Sequence, residues 1–132
     1  MLLACAAYAH SPMNRFWGEV PVDMTLAGDV LIVKPLIVPE DVKLTIEAGT
    51  VVRFEKSKDG GNGIVVKGDL VAVGGAGKAI RFIPKDAQAG RWRGIEFMPS
   101  SKGRLENCVL EKSTAGVTGQ LGKVTRKDIT VK

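Results

Sequence analysis

Histidine occurs once in this chain, at position 10, and cysteine only twice, at 5 and 108. Neither has the spacing of a metal site, and two cysteines so far apart do not make a disulfide framework. Aromatic residues are 5% of the chain. So few aromatics leave no row of exposed rings for stacking nucleic-acid bases, and no groove-reading motif is present. Beyond the N-terminus, no apolar run approaches the ~20 residues of a membrane span. Helical periodicity is missing too, which excludes βαβ units. The Gly-rich pieces Gly60–Gly63 and Gly74–Gly77 are not phosphate loops, since neither opens a helix.

What remains is a chain of 132 residues with 16 glycines, enough for one domain with one core. Val, Ile and Leu supply the apolar content in short runs. Between the runs stand Asp, Gly and Lys, so the composition predicts many short strands joined by tight turns. Charge is uneven. Residues 1–77 carry 7 Lys+Arg against 9 Asp+Glu, and residues 78–132 carry 12 against 5. The basic half is a solvated face or a surface for an anionic partner.

The N-terminus reads MLLACAAYA. Its apolar, small residues and the Ala7-Tyr8-Ala9 site predict the tail of an export signal. Leu2-Leu3-Ala4-Cys5 has the form of a lipoprotein box, making Cys5 a lipidation candidate and the only implied membrane attachment. Export to the periplasm or cell surface is therefore expected. Residues 10–28 are expected to form an N-terminal cap, and His10, alone beside the cleavage point, is not taken as a ligand.

An internal repeat organises the rest. Residues 36–55, LIVPEDVKLTIEAGTVVRFE, lie without a gap over residues 64–83, IVVKGDLVAVGGAGKAIRFI. The slide of 28 puts Val38 on Val66, Asp41 on Asp69, Gly49 on Gly77, and Arg53-Phe54 on Arg81-Phe82. Gly94–Phe97 echoes Gly63–Val66, and Gly116-Val117 opens another turn. Each copy holds three apolar runs. Three strands per turn, repeated along the chain, predict an all-β parallel solenoid of about three to four coils over residues 29–132. Equivalent residues then stack one strand spacing, about 4.8 Å, apart. The expected stack is Val38, Val66, Phe54, Phe82, Gly49, Gly77, Asp41 and Asp69.

The phrases LTIEAGTVVRFE, GIVVKGDLVAVG, AIRFIP, RWRGIEF and RLENCVLEKSTAGV resemble the right-handed parallel β-helix repeat proteins of bacterial envelopes, with pectate-lyase-like architecture. The likeness covers roughly residues 29–117. It implies a right-handed parallel β-helix. Members are usually much longer, which implies a short member or a fragment. The group includes polysaccharide lyases, adhesins and envelope proteins without known activity, so the fold alone does not choose a function.

The residues themselves lean away from catalysis. A lyase needs an acidic Ca²⁺ cluster with an Arg or Lys base, and a hydrolase needs facing carboxylates. Asp41 and Asp69 are the best acidic pair, and capping of equivalent turns is the preferred reading of both. No catalytic residue, metal ligand or cofactor is assigned. Arg53, Arg81, Trp92 and Arg93 are the candidate ligand-binding residues: guanidinium groups for an acidic sugar, an indole for stacking. Trp92 has a second reading, packed over a turn with its N–H on a carbonyl. The expected role is a non-catalytic structural or binding module of the envelope. Its partner would be an anionic polysaccharide or another envelope protein, held on a flat sheet face. The alternative is the N-terminal part of a polysaccharide lyase or glycoside hydrolase.

Overall fold

Alternation of apolar and polar residues governs the local structure. In VVRF and DLVAV every second side chain is buried, the pattern of strands with one dry face. A computed structural model describes residues 14–132. The leader residues 1–9, Cys5 and His10 lie outside them.

Twelve strands follow in order: β1 (Arg15–Glu19), β2 (Met24–Leu26), β3 (Asp29–Val38), β4 (Lys43–Ile46), β5 (Val51–Phe54), β6 (Gly63–Val66), β7 (Asp69–Val73), β8 (Ile80–Pro84), β9 (Gly94–Phe97), β10 (Lys102–Leu110), β11 (Val117–Gly119) and β12 (Val124–Val131). The only helical element among the described residues is a single 3₁₀ turn at Ala87–Ala89. The protein is all-β, with one 12-stranded sheet whose strands pair in parallel and which does not close on itself.

The pairings sort the chain into three columns of stacked strands. One holds β1, the end of β3, β6, β9 and β11. A second holds β2, β4, β7, the start of β10 and the start of β12. The third holds the starts of β1 and β3, then β5, β8 and the ends of β10 and β12. Residues 14–28, expected as a cap, thus contribute strands of this same sheet. Each column is five or six strands deep, more than the expected three to four tiers, because both ends of the described chain supply tiers as well.

One apolar cluster joins the columns, including Ile32, Val38, Leu44, Val52, Phe54, Val66, Leu70, Phe82, Phe97 and Leu110. Burial of these side chains supplies the main driving force, at about 25 cal/mol per Å² of apolar surface.

The 28-residue repeat needs one correction. Val38 pairs with Val66, a spacing of 28. Leu44, however, pairs with Leu70, a spacing of 26, and Val52 with Phe82, a spacing of 30. The corners cause this. The corner after β3 has four residues, 39–42, and its successor has two, 67–68; the corner after β4 has four, 47–50, and its successor has six, 74–79. The loss of two is followed by a gain of four, from Ile46/Ala72 to Val51/Arg81, and a slide of 28 lies midway between 26 and 30 with the same parity, so it still sets apolar on apolar and looks gapless. Phe82 therefore lies against Val52, Phe54 against Pro84, and Asp69 against Lys43 rather than Asp41. Gly49 and Gly77 are both in left-handed turns, and the Gly49 N–H donates to Lys78 O at 2.9 Å. A two-residue slip keeps the parity of a strand, so every inward side chain stays inward.

Candidate functional site

A cleft of about 650 Å³ opens at the corner between the first two columns. Its floor is made by the short corner at Lys67-Gly68. The Gly68 N–H donates to Val38 O at 3.1 Å, and the next N–H, of Asp69, donates to Val42 O at 3.0 Å. A Cβ on Gly68 would run into the carbonyl oxygens of Pro39 and Val42. Only glycine lets two tiers approach this closely.

The register then places charges in order along the cleft. Lys43 pairs with Asp69, and Asp69 with Lys102. One tier earlier, the Lys43 N–H donates to Asp23 Oδ1 at 2.9 Å. The outward line therefore reads Asp23, Lys43, Asp69, Lys102, alternating in sign at each tier. Glu40, Asp41 and Lys67 line the same cleft. The three ion pairs among the described residues lie elsewhere, so none of these seven charges has an ion-pair partner within 4.0 Å among them. No three of the carboxylates stand together as a metal ion would require. The cleft offers ammonium donors and carboxylate acceptors side by side, with no surplus of positive charge.

The four residues named from sequence fall differently. Arg53 and Arg81 sit on neighbouring strands but two positions out of register, Arg81 opposite Val51 and Arg53 opposite Ile83. Each has an acid of its own: Arg53 Nε meets Asp29 Oδ1 at 2.9 Å, and an Arg81 amine meets Glu111 Oε2 at 2.9 Å. Arg93 is exposed at another corner, held by its backbone N–H to Asn62 O.

Trp92 is a correction. It is 2% exposed, with its ring stacked on Phe54 at a centroid distance of 4.0 Å and an interplanar angle of 5°. Its Nε1–H donates to Glu111 O at 2.7 Å. A ring enclosed in this way has no free face for a sugar, so the indole is a core group. The four residues do not make one binding strip. Asp41 and Asp69, by contrast, share the cleft although they are not stacked. Lys43 and Lys102 were missed because they meet Asp69 at spacings of 26 and 33, neither of which is the 28 of the gapless slide.

Cys108 is fully buried, with Sγ 3.4 Å from Ala72 O and from Glu106 O. Burial pushes its thiol up to about 12; the hydrogen bond to Glu106 O pulls down, and the Glu106 carboxylate pushes up. At pH 8 the folded chain should leave Cys108 unalkylated by iodoacetamide, and urea should expose it. Peptide mass mapping separates it from Cys5. A raised pKa stabilises the fold fully below the unfolded value of 9.0, and that contribution is lost as pH rises toward 12. Between those limits the Cys108 contribution falls by about 1.4 kcal/mol per pH unit. A Cys108→Ala variant should show a shallower decline in a urea titration across that range.

The chain matches no protein-family model, no curated protein and no solved structure.

Proposed function

We propose that the chain is a right-handed parallel β-helix of the bacterial envelope, with a pectate-lyase-like architecture, that acts as a non-catalytic glycan-binding module. The three parallel columns and the near-absence of helix support that winding. Export rests on the leader-like sequence Met1–Ala9.

The observation that carries the binding reading is the alternating line Asp23, Lys43, Asp69, Lys102 in an open cleft, without internal ion pairs. Sugar hydroxyls both donate and accept. Carboxylates suit the first role and ammonium groups the second. The tier spacing of about 4.8 Å repeats the line on the scale of a sugar ring. Four carboxylates against three lysines favour a neutral, hydroxyl-rich chain over an anionic one.

The test is titration calorimetry with neutral cello-, xylo- and malto-hexaose, and with oligogalacturonate for comparison. Binding of a neutral hexaose should weaken about tenfold in Lys67→Ala and in Asp69→Asn, a loss near 1.4 kcal/mol. Salt should change it little. If only oligogalacturonate binds, and salt abolishes it, a basic patch elsewhere is the site. If no probe binds, the reading falls.

One observation favours hydrolysis as a second reading: Asp41 and Asp69 line one cleft with Asp23 and Glu40. Release of reducing ends from the same oligosaccharides, lost in Asp69→Asn, would establish it. Exposure of Asp23, Glu40 and Asp41 argues for binding instead, because a general acid needs a desolvated carboxyl.

A further inference from the structure

The corner between the third and first columns carries the two longest loops among the described residues, 55–62 after β5 and 85–93 after β8. They lie in neighbouring tiers and are bonded to each other, the Arg93 N–H donating to Asn62 O at 2.7 Å. One buried side chain pins each loop to the interior. Asn62 Nδ2 donates to Ile32 O at 2.9 Å and to Glu55 O at 2.8 Å. Trp92 plays the same part in the next loop, through the Phe54 ring and Glu111 O. Loops anchored in this way present their outer side chains from a fixed base.

Those outer side chains are mainly basic. Lys56, Lys58, Lys85, Arg91 and Arg93 are exposed, and none belongs to an ion pair among the described residues. The loops also hold three acids. Two turn back on their own backbone: Asp59 Oδ1 accepts the Gly61 N–H at 2.9 Å, and Asp86 Oδ1 accepts the Gln88 N–H at 3.0 Å. The third, Glu55, is half-buried. Lys34, one tier before, and Lys112, one tier after, are exposed on the same corner. Like charges gathered on one ridge repel, a cost that a bound polyanion would relieve.

Trp92 sets the form of the site. Side chains alternate along an extended chain, so an indole drawn inward sends Arg91 and Arg93 outward together, about 7 Å apart at the backbone. Arg91 Nη1 donates to Ser113 O at 3.4 Å, which steadies the group and leaves its other nitrogens for a ligand. A guanidinium takes a carboxylate by two parallel hydrogen bonds.

We propose that this ridge binds an acidic polysaccharide. Arg91 and Arg93 each hold a carboxylate of one uronate chain, and the lysines neutralise its further charges. The ridge is on a different corner from the cleft and does not depend on neutral-glycan binding there. A membrane surface suits it less, because the exposed side chains described in both loops are polar and insertion needs an apolar face. Nucleic acid suits it less too, because neither loop exposes a ring on which a base could stack.

Titration calorimetry with oligogalacturonate of about ten residues should show binding at about 20 mM salt that weakens roughly tenfold or more at about 200 mM. R91Q/R93Q should weaken it roughly tenfold or more, and leave the response to neutral hexaose as in the parent. K56Q/K58Q, in the neighbouring loop, should weaken it several-fold, and decides the matter if the arginine variant does not fold. K123Q/K127Q removes as much charge elsewhere and should keep the binding. R91K/R93K keeps the charge without the paired donors and should retain only part of it. Circular dichroism and urea midpoints check that each variant is folded. The proposal is overturned if oligogalacturonate does not bind at low salt, if folded R91Q/R93Q or K56Q/K58Q binds as the parent does, or if K123Q/K127Q weakens binding as much. Full retention by R91K/R93K refutes the guanidinium grip. Anionic vesicles or a single-stranded oligonucleotide held more tightly than oligogalacturonate would assign the ridge to another partner and overturn it as well.

Discussion

Trp92→Ala lowers the unfolding free energy by about 3–5 kcal/mol, the range for truncating a buried large aromatic. The indole lies on Phe54 at 4.0 Å and near Phe82 at 6.3 Å, so its removal leaves a void beside both rings. The loss also orphans Glu111 O, which accepts the indole N–H. A domain of this kind holds about 5–15 kcal/mol in total, so one substitution takes a large share. With an m-value near 2 kcal/mol/M, the urea midpoint should fall by roughly 2 M. Trp92→Phe separates the two contributions. It keeps a ring on Phe54 and forfeits the N–H, and should cost about 1–2 kcal/mol beyond the lost area. If Trp92→Ala shifts the midpoint by less than about 0.5 M, the indole is not the core group described here.

Gly94→Ala is expected to cost about 3 kcal/mol or more, by strain and by overlap together. Gly63, Gly94 and Gly116 succeed one another at the entry to one column, Gly63 pairing with Gly94. A Cβ on Gly63 would stand 2.5 Å from Gly94 O, and one on Gly94 would collide with Gly116 O. Gly94 also has φ +135, a backbone that side chains rarely adopt. The Ile95 N–H donates to Gly116 O at 2.9 Å, so displacing that carbonyl breaks a ladder bond as well. Gly75→Ala is the control. Nothing lies within 4 Å of its added Cβ, and its stability should stay within about 0.5 kcal/mol of the parent. Equal midpoints for the two variants would show that the glycine column is not under steric constraint.

Much of the architecture was legible in the residues. Alternation in VVRF, IVV and LVAV located strands with one dry face. The echo of Gly63–Val66 in Gly94–Phe97 appears as a register of paired strands. The binding residues were less legible. Arg53 and Arg81 looked like a stacked basic pair because a gapless repeat aligned them. The unequal corners shift the spacing there to 30, which separates them by two positions, and each has its own acid. Trp92 in the phrase Trp-Arg-Gly-Ile admitted both a platform and a core reading, and the neighbours that decide, Phe54 and Glu111, are 38 and 19 residues away.

Side-chain alternation is a property of adjacent residues, and so the chain alone dictated short strands, their inward faces and the turns between them. Which residues meet across tiers is a property of corner lengths, and shifts of two residues either way keep the inward parity, so they leave no trace in a linear comparison. Only the packed columns could therefore bring Lys43 beside Asp69 and bury Trp92 against Phe54.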